Sequence, residues 1–99
     1  MKTQLWTWGG RYFGYREGDD LWHHEGNHVG QFEGDEIFSA DGRYLGEVRS
    51  GNRLIVNCSK KGRIGRSFSS RLSRVAVVPY VDYVGNIMVA GYEDFAETP

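Results

Sequence analysis

Ninety-nine residues, with 14 glycines, 2 prolines and 14% aromatics, describe a single domain with room for only a modest core. One cysteine, Cys58, excludes an internal disulfide framework and points to a reducing compartment. No apolar run approaches the length of a bilayer crossing and "MKTQLWTWGG" has no signal-peptide pattern, so the expectation is a cytoplasmic chain with no membrane contact. The net charge of −1 conceals a strong asymmetry. Residues 1–42 carry three basic and eight acidic side chains, residues 43–74 nine basic and one acidic, and residues 75–99 four acidic and none basic. Such a distribution fits a basic contact surface, or acidic and basic parts that face each other within one fold or across to a second copy.

Taken in chain order, the elements repeat. Apolar pairs stand at Leu5-Trp6, Leu21-Trp22, Ile37-Phe38 and Leu54-Ile55, offset by 16, 16 and 17 residues. Apolar-glycine pairs follow at Phe13-Gly14, Val29-Gly30, Leu45-Gly46 and Ile64-Gly65, offset by 16, 16 and 19. Each unit reads as an incoming strand, a turn ("WGGR", "EGNH", "DGRY", "KKGR") and an outgoing strand. Units are joined by "EGDD", "EGDE" and "SGNR". Glycine beside Asp or Asn is strong turn chemistry. The additional Ser50 accounts for the offset of 17, and the loop "NCSKKG" for most of the 19. A helix is a poor alternative, because no apolar stripe of helical period survives so many glycines.

Gly14, Gly30, Gly46 and Gly65 fall inside the predicted strands rather than at turns. A strand glycine marks a bulge or a close approach of another backbone. One per unit predicts four strands converging on a common axis. The expected fold is therefore all-β, with four short antiparallel β-hairpin repeats of 16 residues over 3–68, arranged around a pseudo-fourfold axis.

The segments "IFSADGR", "DGRYLG" and "YLGEVRSGNRLIV" resemble the four-fold beta-flower domain of bacterial proteins. The resemblance covers residues 3–68 and implies a small four-petalled β fold; it implies no activity. The fourth unit departs from the pattern by being longer and more basic. MORN-type repeats share the aromatic and glycine positions, but their period is longer.

The remainder, 69–94, is the most apolar part. "VAVVPYV" has strand character with Pro79 forcing a bend or an edge, and Gly85-Asn86 is a hairpin signal. This predicts a C-terminal β extension that caps the repeats or forms an oligomer seam, followed by a tail at 95–99. The whole chain, 1–99, reads as one domain.

Candidates for chemistry are few. His24 and His28, on either side of a turn, form a weak metal pair; adjacent strand residues point to opposite faces, so His23 does not join them. His28 also occupies the slot of Tyr12 and Tyr44, which favours a packing role. The basic run Lys60, Lys61, Arg63, Arg66, Arg71 and Arg74 suits an anionic ligand or nucleic acid. That reading is the alternative rather than the favourite, because the pI near 6.3 does not suit a dedicated binder. Trp8 and Tyr15 break the repeat and are expected to be exposed contact residues. Cys58 lies beside Lys60 and Lys61, with no residue to serve as its base. No catalytic residue and no cofactor follow from the sequence. The expected protein is a non-catalytic interaction module, self-associating as a homo-oligomer (a dimer) or binding an unidentified protein partner.

Overall fold

The computed structural model describes residues 1–97; Thr98 and Pro99, the end of the 95–99 tail, lie outside the described residues. The fold is all-β. Strands β1 (Lys2–Thr7), β2 (Tyr12–Glu17), β3 (Asp20–His23), β4 (His28–Glu33), β5 (Glu36–Phe38), β6 (Tyr44–Arg49) and β7 (Arg53–Asn57) pair in chain order, each antiparallel to the next. A single 3-10 turn follows at Cys58–Lys60, and β8 (Tyr92–Asp94) pairs with β7 near the C-terminus. Among the described residues no helix is long and apolar enough to cross a membrane.

The seven strands close into a barrel-like sheet through β1 and β7, with Trp6 opposite Arg53 and Thr7 opposite Leu54. This pair is parallel because an up-and-down meander of seven strands ends in the direction in which it began. Closure removes the long edge that an open sheet of this size would present.

The sixteen-residue register survives in three dimensions. Register shifts fall between Leu5 and Trp6, Leu21 and Trp22, and Ile37 and Phe38. In each, one outgoing residue is left over: Phe13, Val29 or Leu45. The leading apolar residue of all four units, Leu5, Leu21, Ile37 and Leu54, is sequestered in the core. The strand glycines explain the closeness of the packing. A Cβ on Gly14 would overlap the carbonyl oxygen of Trp22, and one on Gly30 or Gly46 would crowd those of Phe38 and Ile55. These acceptors sit at the same place in successive incoming strands. The first two links, Gly18-Asp19 and Gly34-Asp35, are two-residue loops with positive φ at the glycine alone, the pattern of a type II′ loop with glycine at its first central position. The third contains the extra Ser50, which adopts φ 55.

The fourth unit is built differently from the expected hairpin. Ile64 makes only an isolated bridge to Arg43, and Gly65 donates to the carbonyl of Gly42 instead of lying on the axis. The return strand beside β7 is β8, in which Ile55 faces Asp94 and Asn57 faces Tyr92. Continuing that register puts Phe95-Ala96 where the other units have Phe13-Gly14, Val29-Gly30 and Leu45-Gly46. Phe95 is buried, stands edge-on to Phe13 at 5.2 Å and covers Gly46. The long "NCSKKG" insertion releases the chain from the immediate hairpin, and a segment about thirty residues later closes it.

Candidate functional site

Between Gly65 and Met88 the chain forms no strand. It runs as a strap across the three hairpin turns, visiting them in reverse order. Gly65, Arg74 and Tyr83 donate their N–H groups to the carbonyls of Gly42, Gly26 and Gly10 at 2.6, 2.8 and 2.8 Å. Phe68, Val77 and Asn86 donate to Ala40, His24 and Trp8 at 2.9, 2.8 and 3.0 Å. Nine strap residues thus step across each sixteen-residue unit of the barrel. The turn glycines permit the crossing: a Cβ on Gly26 would collide with the carbonyl of Arg74, and its φ of 101 is one that other residues avoid.

Within the strap, every third residue faces the barrel. The ring of Phe68 packs on His28 at 5.5 Å. The guanidinium of Arg74 lies 3.9 Å above Trp22, Tyr80 stacks on Tyr12 at 5.2 Å and Tyr83 on Trp6 at 4.1 Å. A period of three is that of a polyproline II chain, and it leaves the backbone free to bond outside any sheet. Two tryptophans of the barrel reach back: the indole N–H of Trp6 donates to the Val81 carbonyl at 2.9 Å and that of Trp8 to Ile87 at 3.0 Å. Trp8 and Tyr15 are consequently buried rather than exposed. Trp8 lies beneath the strap, its backbone N–H also bound by Asp94. Tyr15 has the ammonium of Lys2 4.5 Å from its ring centre, and its hydroxyl is at the limit of hydrogen-bond reach of Arg74.

The basic segment is turned largely onto the barrel's acids. Lys60 bonds Glu36 at 2.7 Å and Glu47 at 3.0 Å, and Arg63 joins it on Glu36 at 2.8 Å. Lys61 pairs with Glu93, Arg71 with Asp20 at 2.7 Å and Arg74 with Glu17. Arg66 lines a shallow cavity with Asp19 and Glu33. The Lys60 ammonium, donating to Glu36, holds that carboxyl below its ordinary 4.5, and the two carboxylates push Lys60 upward. Glu17 is likewise lowered, chiefly by the Arg74 hydrogen bond. Acids supplied by the repeat and bases supplied after it are complementary parts of one surface.

The histidines are drawn into the same scaffold. His28 bonds Asp20 through Nε2 at 3.0 Å, while its Nδ1 accepts the Arg71 backbone N–H at 2.9 Å. Asp20 in turn holds the Arg71 side chain, so both ring nitrogens serve to fix the strap. His23 is buried, accepts the Glu25 N–H at Nδ1 and meets the Glu97 carbonyl at 2.9 Å through Nε2. His24 lies beside Tyr12 and His23, and burial lowers its pKa from the usual 6.5. Among the described residues no group of three His, Cys, Asp or Glu is disposed to hold a metal. The structure therefore does not bring His24 and His28 together with a third ligand. Cys58 opens the 3-10 turn, its N–H bound to the Gly91 carbonyl, and the two neighbouring lysines already have carboxylate partners.

Two surface features remain. A cavity of about 510 Å³ opens near the axis, lined by Phe13, Val29, Leu45, Val56 and Phe95 with Lys61 and Glu93 at its polar side. Val29 and Leu45 only partly fill the space that the larger Phe13 and Phe95 occupy in the other units. The second feature is on the outside of the strap: Leu72, Val75, Val78, Val81, Val84 and Ile87 are between 84% and 93% exposed. The sequence predicts strands at 69–94 that cap the repeats or form an oligomer seam; only Tyr92–Asp94 is a strand, and the row of spacing three was there to be read but not identified. No family model, curated protein or solved structure matches the chain.

Proposed function

We propose that the protein is a non-catalytic interaction module that associates with itself. The observation that carries this reading is the contrast on its surface. Groups with chemical potential, the three histidines and most of the basic run, are engaged in internal contacts, whereas six large aliphatic side chains stand in solvent. Exposed apolar side chains scattered singly are ordinary, but a contiguous row of them marks a contact surface. The resemblance to the four-fold beta-flower domain belongs to the same proposal, supported by three equivalent bulges at the expected period. A cytoplasmic location is supported by the unpaired thiol of Cys58.

Nucleic-acid binding is the weaker reading, since Lys60, Lys61, Arg63, Arg71 and Arg74 already face carboxylates. Light scattering across a concentration series tests the main reading. A mass above one chain is expected; a one-chain mass at the highest attainable concentration overturns it. A DNA or RNA titration at low salt separates the alternative, for which binding that falls steeply with added salt is the signature.

A further inference from the structure

We infer that the cavity near the axis is a binding site for one small amphiphile, with an apolar body seated among the bulge residues and a single carboxylate held by Lys61. The site goes beyond self-association and does not depend on it. The cavity measures about 510 Å³, within the roughly 300–1,000 Å³ of small-molecule sites. It lies where the four units converge, and its space comes from a difference between them. Units one and four bring in the rings of Phe13 and Phe95, edge-on to each other at 5.2 Å. Units two and three bring in the smaller Val29 and Leu45, which pack against the core but stay only partly buried. Val56 completes the apolar wall.

The polar groups of the wall decide the chemistry of the occupant. All but one pair are already engaged. The Tyr44 hydroxyl donates to Glu47 at 2.8 Å and accepts the Asn57 N–H at 3.0 Å. The Ser39 hydroxyl donates to Asp41 and accepts the Arg43 N–H. The Asp94 carboxylate accepts three backbone N–H groups, from Trp8, Gly9 and Phe95. Both ring nitrogens of His28 are taken up by Asp20 and the strap. A sugar or a nucleotide seated here would leave most of its polar groups unmet, which is costly.

The remaining pair is Lys61 with Glu93, on the polar side of the cavity. Their side chains are 53% and 51% exposed, so both stay within reach of a ligand. An ammonium carries three rotatable donors on a flexible stem. One of them meets Glu93, which leaves donors for a second carboxylate. A ligand ammonium would instead have to share Glu93 with Lys61, and the backbone of Glu93 is fixed in β8. The neighbouring cations do not compete, because Lys60 and Arg63 are held on Glu36. Charge and volume thus agree on a hydrocarbon body that ends in one carboxylate.

The probe is decanoate, with decanol and decylamine as its uncharged and cationic counterparts. Titration calorimetry on the full chain is expected to show one decanoate per chain with a Kd below about 1 mM, tighter than either counterpart. Methyl resonances of Val29, Leu45 and Val56 are expected to shift, while those of Val78 and Val81 on the strap stay in place. Lys61→Gln is expected to weaken decanoate about fivefold, the scale of a half-exposed ion pair, and to leave decanol unchanged. Leu45→Phe gives unit three the ring that units one and four carry. It is expected to abolish binding and to raise the urea midpoint, because it fills a void. Val29→Phe makes the same test from unit two, and near-ultraviolet circular dichroism checks the fold of each variant. No binding heat at a decanoate concentration of about 1 mM, or methyl shifts confined to the strap, overturns the site. Folded Leu45→Phe and Val29→Phe chains that both bind as the wild type does overturn its place near the axis. Decylamine bound as tightly as decanoate, or Lys61→Gln without effect on decanoate, overturns the carboxylate and its holder. Each result reads the same for a one-chain or a two-chain mass, so its failure is distinct from failure of the self-association reading.

Discussion

The barrel and the strap are both periodic, but they achieve it by different means. The barrel repeats residue types: Leu5, Leu21, Ile37 and Leu54 fill equivalent core positions, and Gly14, Gly30 and Gly46 admit equivalent carbonyls. The strap repeats a geometry with unlike residues. Gly65, Arg74 and Tyr83 share no chemistry, yet each donates the same backbone bond to a turn glycine. Burial of apolar side chains holds the barrel together, whereas backbone bonds, ring stacking and ion pairs hold the strap. The two should therefore differ in stability, with the strap the first part to open.

The sharpest way to separate them is through glycines of the two kinds. In Gly14→Ala the new methyl meets the Trp22 carbonyl between two paired strands, neither of which can retreat. A loss of at least about 3 kcal/mol is expected, at the upper end for overpacking, and it appears as global unfolding in urea. In Gly26→Ala the methyl meets the Arg74 carbonyl, and here the strap can lift away. The barrel's urea midpoint should move less, while amide exchange at Arg74 and Val77 accelerates. Equal effects on both parts would mean that barrel and strap unfold as one unit.

Asp20→Ala comes next. Asp20 binds the Arg71 guanidinium, His28 Nε2 and, at 3.3 Å, the Gln31 amide, so its loss leaves a buried imidazole without this partner. A cost of about 2 kcal/mol is expected from stranded polar groups, reduced because Arg71 is half in solvent. Limited proteolysis should find new cleavage between Arg66 and Arg74 before the barrel melts. Unchanged protease resistance would show that the stacked aromatics, rather than this ionic knot, hold the strap.

How much of this was legible in advance follows from the same contrast. The offsets of 16, 16 and 17 between apolar pairs located the bulges and the strand glycines, because side-chain identity and position coincide there. The acid-base segregation along the chain anticipated ion pairs between the two parts. The fourth return strand was misplaced at Ile64-Gly65 because those two residues imitate the motif, while Phe95-Ala96, which take its place, are separated from β7 by the whole strap. Trp8 and Tyr15 look exposed only as long as the strap's path is unknown. The nine-residue step was invisible, since backbone N–H groups leave no mark on a sequence.

Alkaline pH tests whether burial is shared evenly round the barrel. Tyr12 and Tyr44 occupy equivalent positions, and burial pushes both pKa values up from 10.0 to about 12. The neutral phenol is thus favoured in the folded state. Its contribution is complete below pH 10 and is lost as pH rises from 10 toward 12, amounting to no more than about 1 kcal/mol for each partly solvated hydroxyl. Tyr12→Phe and Tyr44→Phe should each flatten that decline, which circular dichroism can follow. On the acid side the sign reverses for Glu36, whose carboxyl is lowered below 4.5 by Lys60. Its contribution is present above pH 4.5 and disappears as pH falls below it. A stability profile flat between pH 10 and 12 would show that these hydroxyls are as well hydrated in the folded chain as in the unfolded one.

The smallest expected effect tests how far the strap's periodicity extends. Trp6 and Trp22 stand one unit apart, both buried and both covered by a strap residue, Tyr83 or Arg74. The Trp6 indole N–H reaches the carbonyl of Val81; nine residues earlier, the carbonyl of Leu72 receives no bond from Trp22, whose Nε1 is buried without a partner. Replacing either ring by Phe removes similar volume and similar stacking. The difference between the two variants therefore isolates one hydrogen bond on one side and one unmet donor on the other. Trp6→Phe should cost about 1 kcal/mol more than Trp22→Phe, because the second substitution relieves a buried N–H while the first strands a carbonyl. Equal losses in paired urea titrations would mean that the Trp22 N–H is satisfied in solution, and that the strap follows its nine-residue step one unit further than its hydrogen bonds display.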